Sequence, residues 1–487
     1  MATEKARALL GGPPRVVNVG LELFAAELQR QQAPVVQVDW QPPAGGDARL
    51  AGLLARLTAG DARDRPGQAS AAARIEAANA TAVRRLLDSQ PVLVDVLTAG
   101  DALPGMAHDL VLHAGPPIAW DAMCPLQRGA VAVGAVYEGL AADPAEAARR
   151  LAEGAIRIAP CHAHAAVGPM TGIITASMPV FVVENRATGN RAYVTINEGM
   201  GKVLRFGATQ PEVLERLRWM RDELAPALRA AIADAGGLDL NALVAQALQM
   251  GDELHMRNLA STALFVRAIA PHLTAALRRD GDRLDRVMRF LTRNNDQFFL
   301  NLAMGAAKAA ADAAHGVPDS SLVTAMARNG VELGLRVSGL GDRWFTGPAD
   351  LVQGLYFPGY TAADACRDIG DSAIMETVGL GGMAMATAPA LVPFLGLRDT
   401  RAGQQQTQLA REITLAEHEV FLLPALGGQG TPVGIDVRKV VETGITPLIN
   451  TAIAHREPGI GQIGAGVAHA PPAAFAAALE ALAAAIS

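Results

Sequence analysis

Cysteine is scarce: Cys124, Cys161 and Cys366 are the only three in 487 residues. They lie far apart and form no Cys-x-x-Cys pair, which argues against a disulfide framework or a cysteine-rich zinc site and fits a reducing, cytoplasmic setting. Basic excess is absent as well. A net charge of −6 and a pI near 6.0 leave nothing to attract nucleic acid or an anionic membrane surface. Arg218, Arg221 and Arg229 sit among Asp222, Glu223 and Asp234 and read as solvated helix faces. Met1–Pro14 lacks a basic start followed by a long apolar run, so no secretion signal is expected. The uncharged stretch Val378–Leu397 is long enough to span a bilayer, but Pro389 and Pro393 interrupt it and it has no aromatic belt. It reads as a buried glycine-rich turn and helix, with no membrane span. There is no internal repeat and no low-complexity tail.

What is present is apolar substance, 50% hydrophobic against 18% charged, enough for two to four domains with cores of their own. The expected class is α/β (mixed α+β) and multi-lobed. A small Rossmann-like α/β unit spans 1–68, an α/β domain 69–210, a central helical lobe 211–316, and a Gly-rich α/β region 317–487. In the first unit, Arg15–Gly20 and Pro34–Trp40 read as parallel strands around a helix at Leu21–Gln31, closed by a turn at Pro42–Gly46. Ala48–Leu57 and Ala69–Ser89 read as helices. Val92–Val96, Leu110–His113 and Ala130–Gly134 read as strands, and Val180–Glu184 with Arg191–Thr195 as a strand pair turning at Ala187–Asn190. Pro211 to about His315 is helical, Glu419–Leu423 is a strand, and an Ala-rich helix starts at Pro472.

Chemistry is expected where loops collect polar groups beside glycines that let backbone approach a ligand. Pro160–His164, followed by Val167–Gly172, carries His162 and His164 at spacing two. On an extended strand they face one side, which permits a proton-transfer or metal pair; the plainer alternative is a loop whose imidazoles bond to backbone. No third ligand stands at a recognisable spacing, so no metal is assigned. Asn185 and Arg186, then Asn197–Lys202 and Arg205, suit either anion binding or a structural turn, and lack the spacing of a nucleotide loop. In Met250–Asn258, helical spacing would pair Asp252 with His255 and Glu253 with Arg257, as an inward network or a surface ion pair. The carboxamides Asn294, Asn295, Gln297 and Asn301 suit recognition of an amide or ureido group, and also helix capping. Asp371 or Ser372 would cap a helix that carries Glu376 on its first turns, with Glu376 solvated or functional. Gly427–Asp436, including Gly430 and Thr431, together with Asn450-Thr451 and His455–Gly464, looks like backbone wrapped round a ligand, or plain surface turns.

Four runs carry a family likeness. Pro160-Cys-His-x-His-Ala-Ala-Val-Gly-Pro-Met-x-Gly172, Pro179-Val-Phe-Val-Val-Glu-Asn-Arg186, Gly339-Leu-Gly-Asp-Arg-Trp-Phe345 and Gly434-Ile-Asp-Val-Arg-Lys-Val-Val-Glu442 resemble the YlbE/YahG-like (AllG-type) family. The likeness runs from about Ala69 to the C-terminus. The segment from Val16 to Gly46 resembles the tail of FdrA-like proteins, which are themselves similar to the α subunit of succinyl-CoA synthetase. The resemblance implies an oxamate-type carbamoyltransferase subunit of allantoin breakdown, interconverting oxalurate plus phosphate with oxamate plus carbamoyl phosphate. It also implies an FdrA-like partner, a third small operon-encoded subunit, an oligomer and no cofactor.

Such a transfer needs cations at the phosphate, donors on the developing oxyanion and an acid for the leaving amide. On this reading Lys202, Arg205 or Arg456 binds anions, and Asn294 and Asn295 hold the carboxamide. His162, His164 or His455 handles the proton, with Asp371 and Glu376 as further catalytic candidates. Asn185, Arg186, His255, Gly430 and Thr431 complete the candidate binding residues. The competing readings are a non-catalytic subunit completing the active site of an FdrA-like partner, a CoA-linked acyl-transfer or ligand-binding protein, and the same transfer on another ureido acid.

Overall fold

The computed structural model describes residues 16–38, 40–59, 69–293, 295–393, 396 and 399–486. Branched side chains favour extended backbone in β1 (Val16–Val19) and β2 (Val35–Val38). The two strands pair in parallel, Val16 opposite Val35 and Val19 opposite Val38. Helix α1 (Glu22–Arg30) makes the crossover, with Glu22 in its first turn and Arg30 in its last, each complementing the helix dipole. This unit leaves Val17, Val19, Leu21, Leu23, Phe24, Val36 and Trp40 each more than half exposed.

Helices α2 (Ala48–Ala59) and α3 (Ala71–Leu87) follow, the second capped by the Ser70 hydroxyl, which accepts from Ala73 N. Then come β3 (Pro91–Thr98), β4 (Leu110–His113), α4 (Pro125–Tyr137), α5 (Pro144–Ala152), β5 (Arg157–Pro160), β6 (Ala166–Val167), β7 (Pro179–Asn185) and β8 (Arg191–Thr195). The last two form the expected antiparallel pair, Val180 opposite Thr195 and Glu184 opposite Arg191. The strand expected at Ala130–Gly134 lies instead inside α4. All five residues are buried, so the Ala/Val run carries no period to tell strand from helix. Pro125 in the first turn, where its missing N–H costs nothing, was the available signal.

From Pro211 the chain is helical as expected: α6 (Pro211–Trp219), α7 (Ala225–Ala235), α8 (Leu240–Gln249), α9 (Leu259–Ala276), α10 (Gly281–Thr292) and α11 (Phe298–Ala313). The short β9 (Leu238–Asp239) joins a five-stranded sheet of order β6-β8-β7-β3-β9. Helix α11 lies on that sheet, buried on nearly every side, and Gly305 admits Val183 and Val194 where a Cβ would stand. Phe298, at its start, packs against Phe181, Phe265 and Phe290 with ring centroids 6.0, 5.4 and 6.4 Å away. Helix α9 is long and apolar enough to cross a membrane, and here it turns Phe265, Ile269 and Leu273 into the largest core.

The remaining elements are β10 (Val323–Asn329), β11 (Glu332–Val337), β12 (Phe345–Pro348), β13 (Gln353–Tyr356), β14 (Ile369–Gly370), α12 (Thr400–Arg411), β15 (Thr414–Leu423), β16 (Gln429–Ile435), α13 (Val437–Thr443), β17 (Leu448–Ala454), β18 (Gln462–His469) and α14 (Pro472–Ile486). They make sheets of order β12-β11-β10-β14 and β13-β18-β17, plus the β15-β16 hairpin. Helices and several small sheets are thus mixed, in keeping with the multi-lobed α/β class. The glycine-rich stretch after Val378 forms a buried 3-10 segment at Gly381–Thr387, where a Cβ on Gly382 would collide with the Leu448 carbonyl.

Candidate functional site

Distant segments meet around one apolar cluster: Leu126 of α4, Met170, Val203, Phe206, Ile369 of β14, and Ala452 and Ala454 of β17, with Met256 on its edge. Loops leaving this cluster wall a cleft of about 620 Å³, lined among others by Met200, Met256, Arg257, Asn258, Asp296 and Gln297. That is the size of a small-ligand site. Hydrogen bonds fix the walls to one another. Asn197 Nδ2 donates to the Gln297 carbonyl (2.9 Å) and Asn301 Oδ1 (3.1 Å), and Gly199 N donates to Asn197 Oδ1 (2.9 Å). Asn301 Nδ2 donates to the Thr195 carbonyl (2.6 Å), and Gln297 Nε2 to that of Met256 (3.3 Å).

The helix expected at Asp252–Asn258 is an irregular loop, because Gly251 and Leu254 take left-handed backbone with φ of 94° and 70°. Buried Glu253 shapes it. Its carboxylate accepts from the backbone N–H of His255 (2.7 Å), Met256 (2.5 Å) and Arg257 (2.7 Å). Burial nevertheless pushes its pKa up to about 7. Asp252 accepts from Ser261 N (2.7 Å) and faces Arg257 Nε at 3.3 Å. The pairings expected from helical spacing are therefore replaced: Arg257 meets Asp252, and His255 meets Glu376.

His255 Nδ1 lies 2.8 Å from Glu376 Oε1, which also accepts from Gly382 N at 3.0 Å. Glu376 is buried on the short helical turn Ile374–Thr377, not solvated. Asp371 and Ser372 make no side-chain cap there. Gly381 is required beside it, since its φ is +59° and a Cβ would strike the Glu376 carboxyl. With Nδ1–H donated to Glu376, Nε2 of His255 is left as the proton acceptor, the geometry of a base oriented by a carboxylate. Asn258 Nδ2 donates to the His255 carbonyl (3.1 Å), whereas its Oδ1 is buried, beside the cleft, and has no hydrogen-bond partner. The cleft lining thus combines a guanidinium with an unsatisfied acceptor, while His255 is buried on the same loop next to Met256 of the lining.

A second buried polar group stands behind it. Arg328 of β10 binds Asp368 through Nε and Nη2 (2.8 and 3.0 Å) and donates to the Gly370 carbonyl (2.8 Å), while Thr451 Oγ1 donates to Asp368 (3.0 Å). Sequence reading missed this pair, although an arginine inside a buried strand was a signal for it. Asp371 accepts from Gly115 N (2.8 Å) and Gly168 N (3.0 Å), and burial pushes its pKa up to about 7.

The other candidates fall into place around these groups. His162 and His164 lie on a 3-10 turn, closed by Ala165 at φ +53°, and not on a strand, so they do not share a face. His162 is buried edge-on to Trp344 (5.4 Å), 3.7 Å from Asp371 Oδ1, with neither ring nitrogen hydrogen-bonded. Burial, with Lys308 and Arg336 nearby, holds its pKa well below the usual imidazole value, so it is neutral. His164 Nδ1 pairs with the Pro104 carbonyl (2.6 Å). Asn185 Oδ1 accepts from Gln90 N and Ala187 N, closing the hairpin turn, and Arg186 is exposed beside it. Arg205 is buried over the Phe206 ring and donates to the Gly199 carbonyl (3.1 Å), which commits it to the cleft wall. Lys202 is exposed on that same loop. Asn295 is buried with Oδ1 unpaired; Asn294 lies outside the described residues. His455 Nδ1 accepts from Glu457 N (2.9 Å), and Arg456 is exposed on the loop whose Gly459 N donates to the Phe206 carbonyl. Gly430 permits close approach to His418, and Thr431 is buried with its hydroxyl unpaired. Among the described residues, no group of three or more His, Cys, Asp or Glu is placed to hold a metal ion.

Comparison with known proteins gives this site its context. The family model for oxamate carbamoyltransferase subunit AllG matches residues 156–372. The uncharacterized protein YahG of Escherichia coli K12 is 45% identical over 469 residues, 96% of this chain and 97% of YahG. The oxamate carbamoyltransferase subunit AllG of the same organism is 49% identical over 408 residues, 83% of this chain and 97% of AllG. A crystal structure of a conserved protein of unknown function from Enterococcus faecalis V583 superposes with a TM-score of 0.84 at 47% identity, covering 85% of this chain and 99% of that one. With near-half identity sustained over almost the whole length of its relatives, the chain belongs to the YahG/AllG-like family.

Proposed function

We propose that this protein is a subunit of an oxamate-type carbamoyltransferase and that its cleft holds the ureido acid. The observation that carries the reading is the Arg257 guanidinium and the unsatisfied Asn258 Oδ1 on the cleft lining, with the buried His255–Glu376 pair on the adjoining stretch of the same loop. A small acid amide offers the complementary groups. Its carboxylate suits the guanidinium, and its N–H suits the carboxamide oxygen. In the transfer, a phosphate oxygen attacks the ureido carbonyl carbon of oxalurate and the bond to the oxamate nitrogen breaks. The nitrogen takes a proton, giving carbamoyl phosphate and oxamate. His255, oriented by Glu376, moves that proton, and Lys202 on the exposed lip draws in phosphate. Arg205 serves the wall and not the ligand.

A second reading rests on the N-terminal unit. Its exposed Val17, Val19, Leu21, Leu23, Phe24, Val36 and Trp40 suit attachment to another subunit, so the complete active site would be shared with an FdrA-like partner. One experiment separates the two: carbamoyl phosphate formation from oxalurate and phosphate by the purified chain, alone and with the FdrA-like partner and third subunit. Turnover by the chain alone makes it self-sufficient, and turnover only in the mixture makes it one subunit of a shared site. If the mixture is active and His255→Ala within it keeps the full rate, the proposed role of the cleft is wrong.

A further inference from the structure

The chain between α8 and α9, residues 250–258, is neither helix nor strand, yet its backbone is closely held. Three consecutive amides converge on one side chain of the same loop. Glu253 Oε2 accepts from His255 N (2.7 Å), and Oε1 accepts from Met256 N (2.5 Å) and Arg257 N (2.7 Å). Between them Leu254 takes left-handed backbone, φ +70°, with its side chain in the largest core and its N–H donating to the Arg257 carbonyl (3.1 Å). A leucine resists that conformation, so the turn needs the bonds that Glu253 supplies. The Glu253 carbonyl accepts from Gly381 N (2.8 Å), which ties the loop to the segment following Glu376. Glu253 is fully buried and does not itself line the cleft, whereas Met256, Arg257 and Asn258 do.

We infer that Glu253 is the positioning residue of the cleft: by gathering the amides of residues 255–257 it sets where Arg257 and Asn258 stand on the lining. For the identity of the ligand this rests on the function proposed above. A carboxylate presents two acceptor oxygens and no donor, whereas a carboxamide of the same shape presents one oxygen and turns an NH2 toward an amide N–H. With a carboxamide at 253, at least one of the three amides is left unpaired in the interior, and the loop must shift to find it another partner. The other bonds to this loop do not touch those amides. Asp252 accepts from Ser261 N (2.7 Å), Gln297 Nε2 donates to the Met256 carbonyl (3.3 Å), and Asn258 Nδ2 donates to the His255 carbonyl (3.1 Å). The His255 ring keeps its own partner in Glu376, so the loss falls on the groups that bind the ligand.

The test places Glu253→Gln in the intact chain and in the complex assembled with the FdrA-like partner and the third subunit. Amide hydrogen exchange, followed by mass spectrometry, reads the loop without any ligand. The peptide across Asp252–Asn258 should exchange about tenfold faster or more in the variant, while peptides of β10 keep their rate. In the complex, the KM for oxalurate should rise roughly ten- to hundredfold, the scale on which a misplacement of about 1 Å acts, with kcat changed only a few-fold. A variant that is merely part-unfolded would instead lower kcat and leave KM unchanged. Unchanged exchange, or an unchanged KM in an active complex, overturns the inference. A complex that turns over no oxalurate even without the substitution removes the ureido acid and not Glu253, whose hold on the loop the exchange still decides. Should Glu253→Gln fail to fold, the unaltered chain decides: the amides of His255, Met256 and Arg257 should exchange as slowly as those of β10, and exchange at the rate of an open loop overturns the inference.

Discussion

Nδ1 of His255 sits 2.8 Å from Oε1 of Glu376, a carboxylate 121 residues further along the chain. The contact joins the loop that lines the cleft to the buried turn Ile374–Thr377, and it leaves Nε2 as the imidazole nitrogen free of Glu376. Proton transfer by a positioned side chain is worth roughly 10²–10⁴-fold. We expect His255→Ala to cost about that in the rate of carbamoyl phosphate formation by the assembled complex. Glu376→Gln should cost less, since an amide oxygen still orients the ring. Steady-state rates on complexes of equal composition check both.

Arg257, facing Asp252 on the loop, is a cation on the cleft lining, and a hydrogen bond to a charged group is worth about 1.5–3 kcal/mol. Arg257→Ala should therefore raise the KM for the carboxylate-bearing substrate roughly ten- to hundredfold, with a smaller change in kcat. An unchanged KM would remove the carboxylate from Arg257.

Arg328 and Asp368 form a fully buried ion pair. Removing one partner strands the other in a poorly solvating interior, at a cost of about 3–5 kcal/mol. We expect Arg328→Met to lower the denaturant midpoint by that measure. The double variant Arg328→Met with Asp368→Leu should recover much of the loss, because no unpaired charge remains.

The buried Asp371 makes stability depend on pH. Its pKa is about 7 in the folded chain against an ordinary 3.8, so the folded state holds a proton that the unfolded state releases. Stability contributed by this group is therefore present at low pH and falls as pH rises through the window from about 4 to 7, by up to about 1.4 kcal/mol per unit. His162 acts in the opposite sense below its ordinary value of 6.5, since burial keeps it uncharged. Comparing urea midpoints of the unaltered chain and Asp371→Asn at pH 5 and 7.5 isolates the aspartate: the variant should lose less on going to the higher pH.

Phe24 and Trp40 are about 60% exposed on the N-terminal unit. Replacing both with Asp should leave the melting behaviour of the isolated chain within experimental error, because neither is packed in the core. Co-elution with an FdrA-like partner should be lost. A variant that still co-elutes places the contact elsewhere.

Much of the architecture was legible because it is local. The β1-α1-β2 unit, the β7-β8 hairpin, the helical run from Pro211 and the final helix all announce themselves by period and by turn residues. Failures arose where burial on all sides erased the period, as at Ala130–Gly134, or where one left-handed residue redirected the chain, as Ala165 does after His164 and Leu254 does before His255. His255, Glu376, Lys202, Arg205 and Asn295 were all singled out, yet nothing local says that Asn197 binds Asn301 or that His255 finds Glu376. Those pairings belong to the packing of distant segments, which a single sequence does not display.

The apolar cluster beneath the cleft bears on how the protein is made. Its contributors range from Cys124 to Ala454, with the cleft walls drawn from near residues 200, 256 and 296. During synthesis Met170, Val203 and Phe206 emerge long before β17 exists to cover them, so a growing or truncated chain presents a sticky, half-made surface. The floor beneath the cleft is finished only when β17 arrives with Ala452 and Ala454, so the support of the cleft forms late in synthesis.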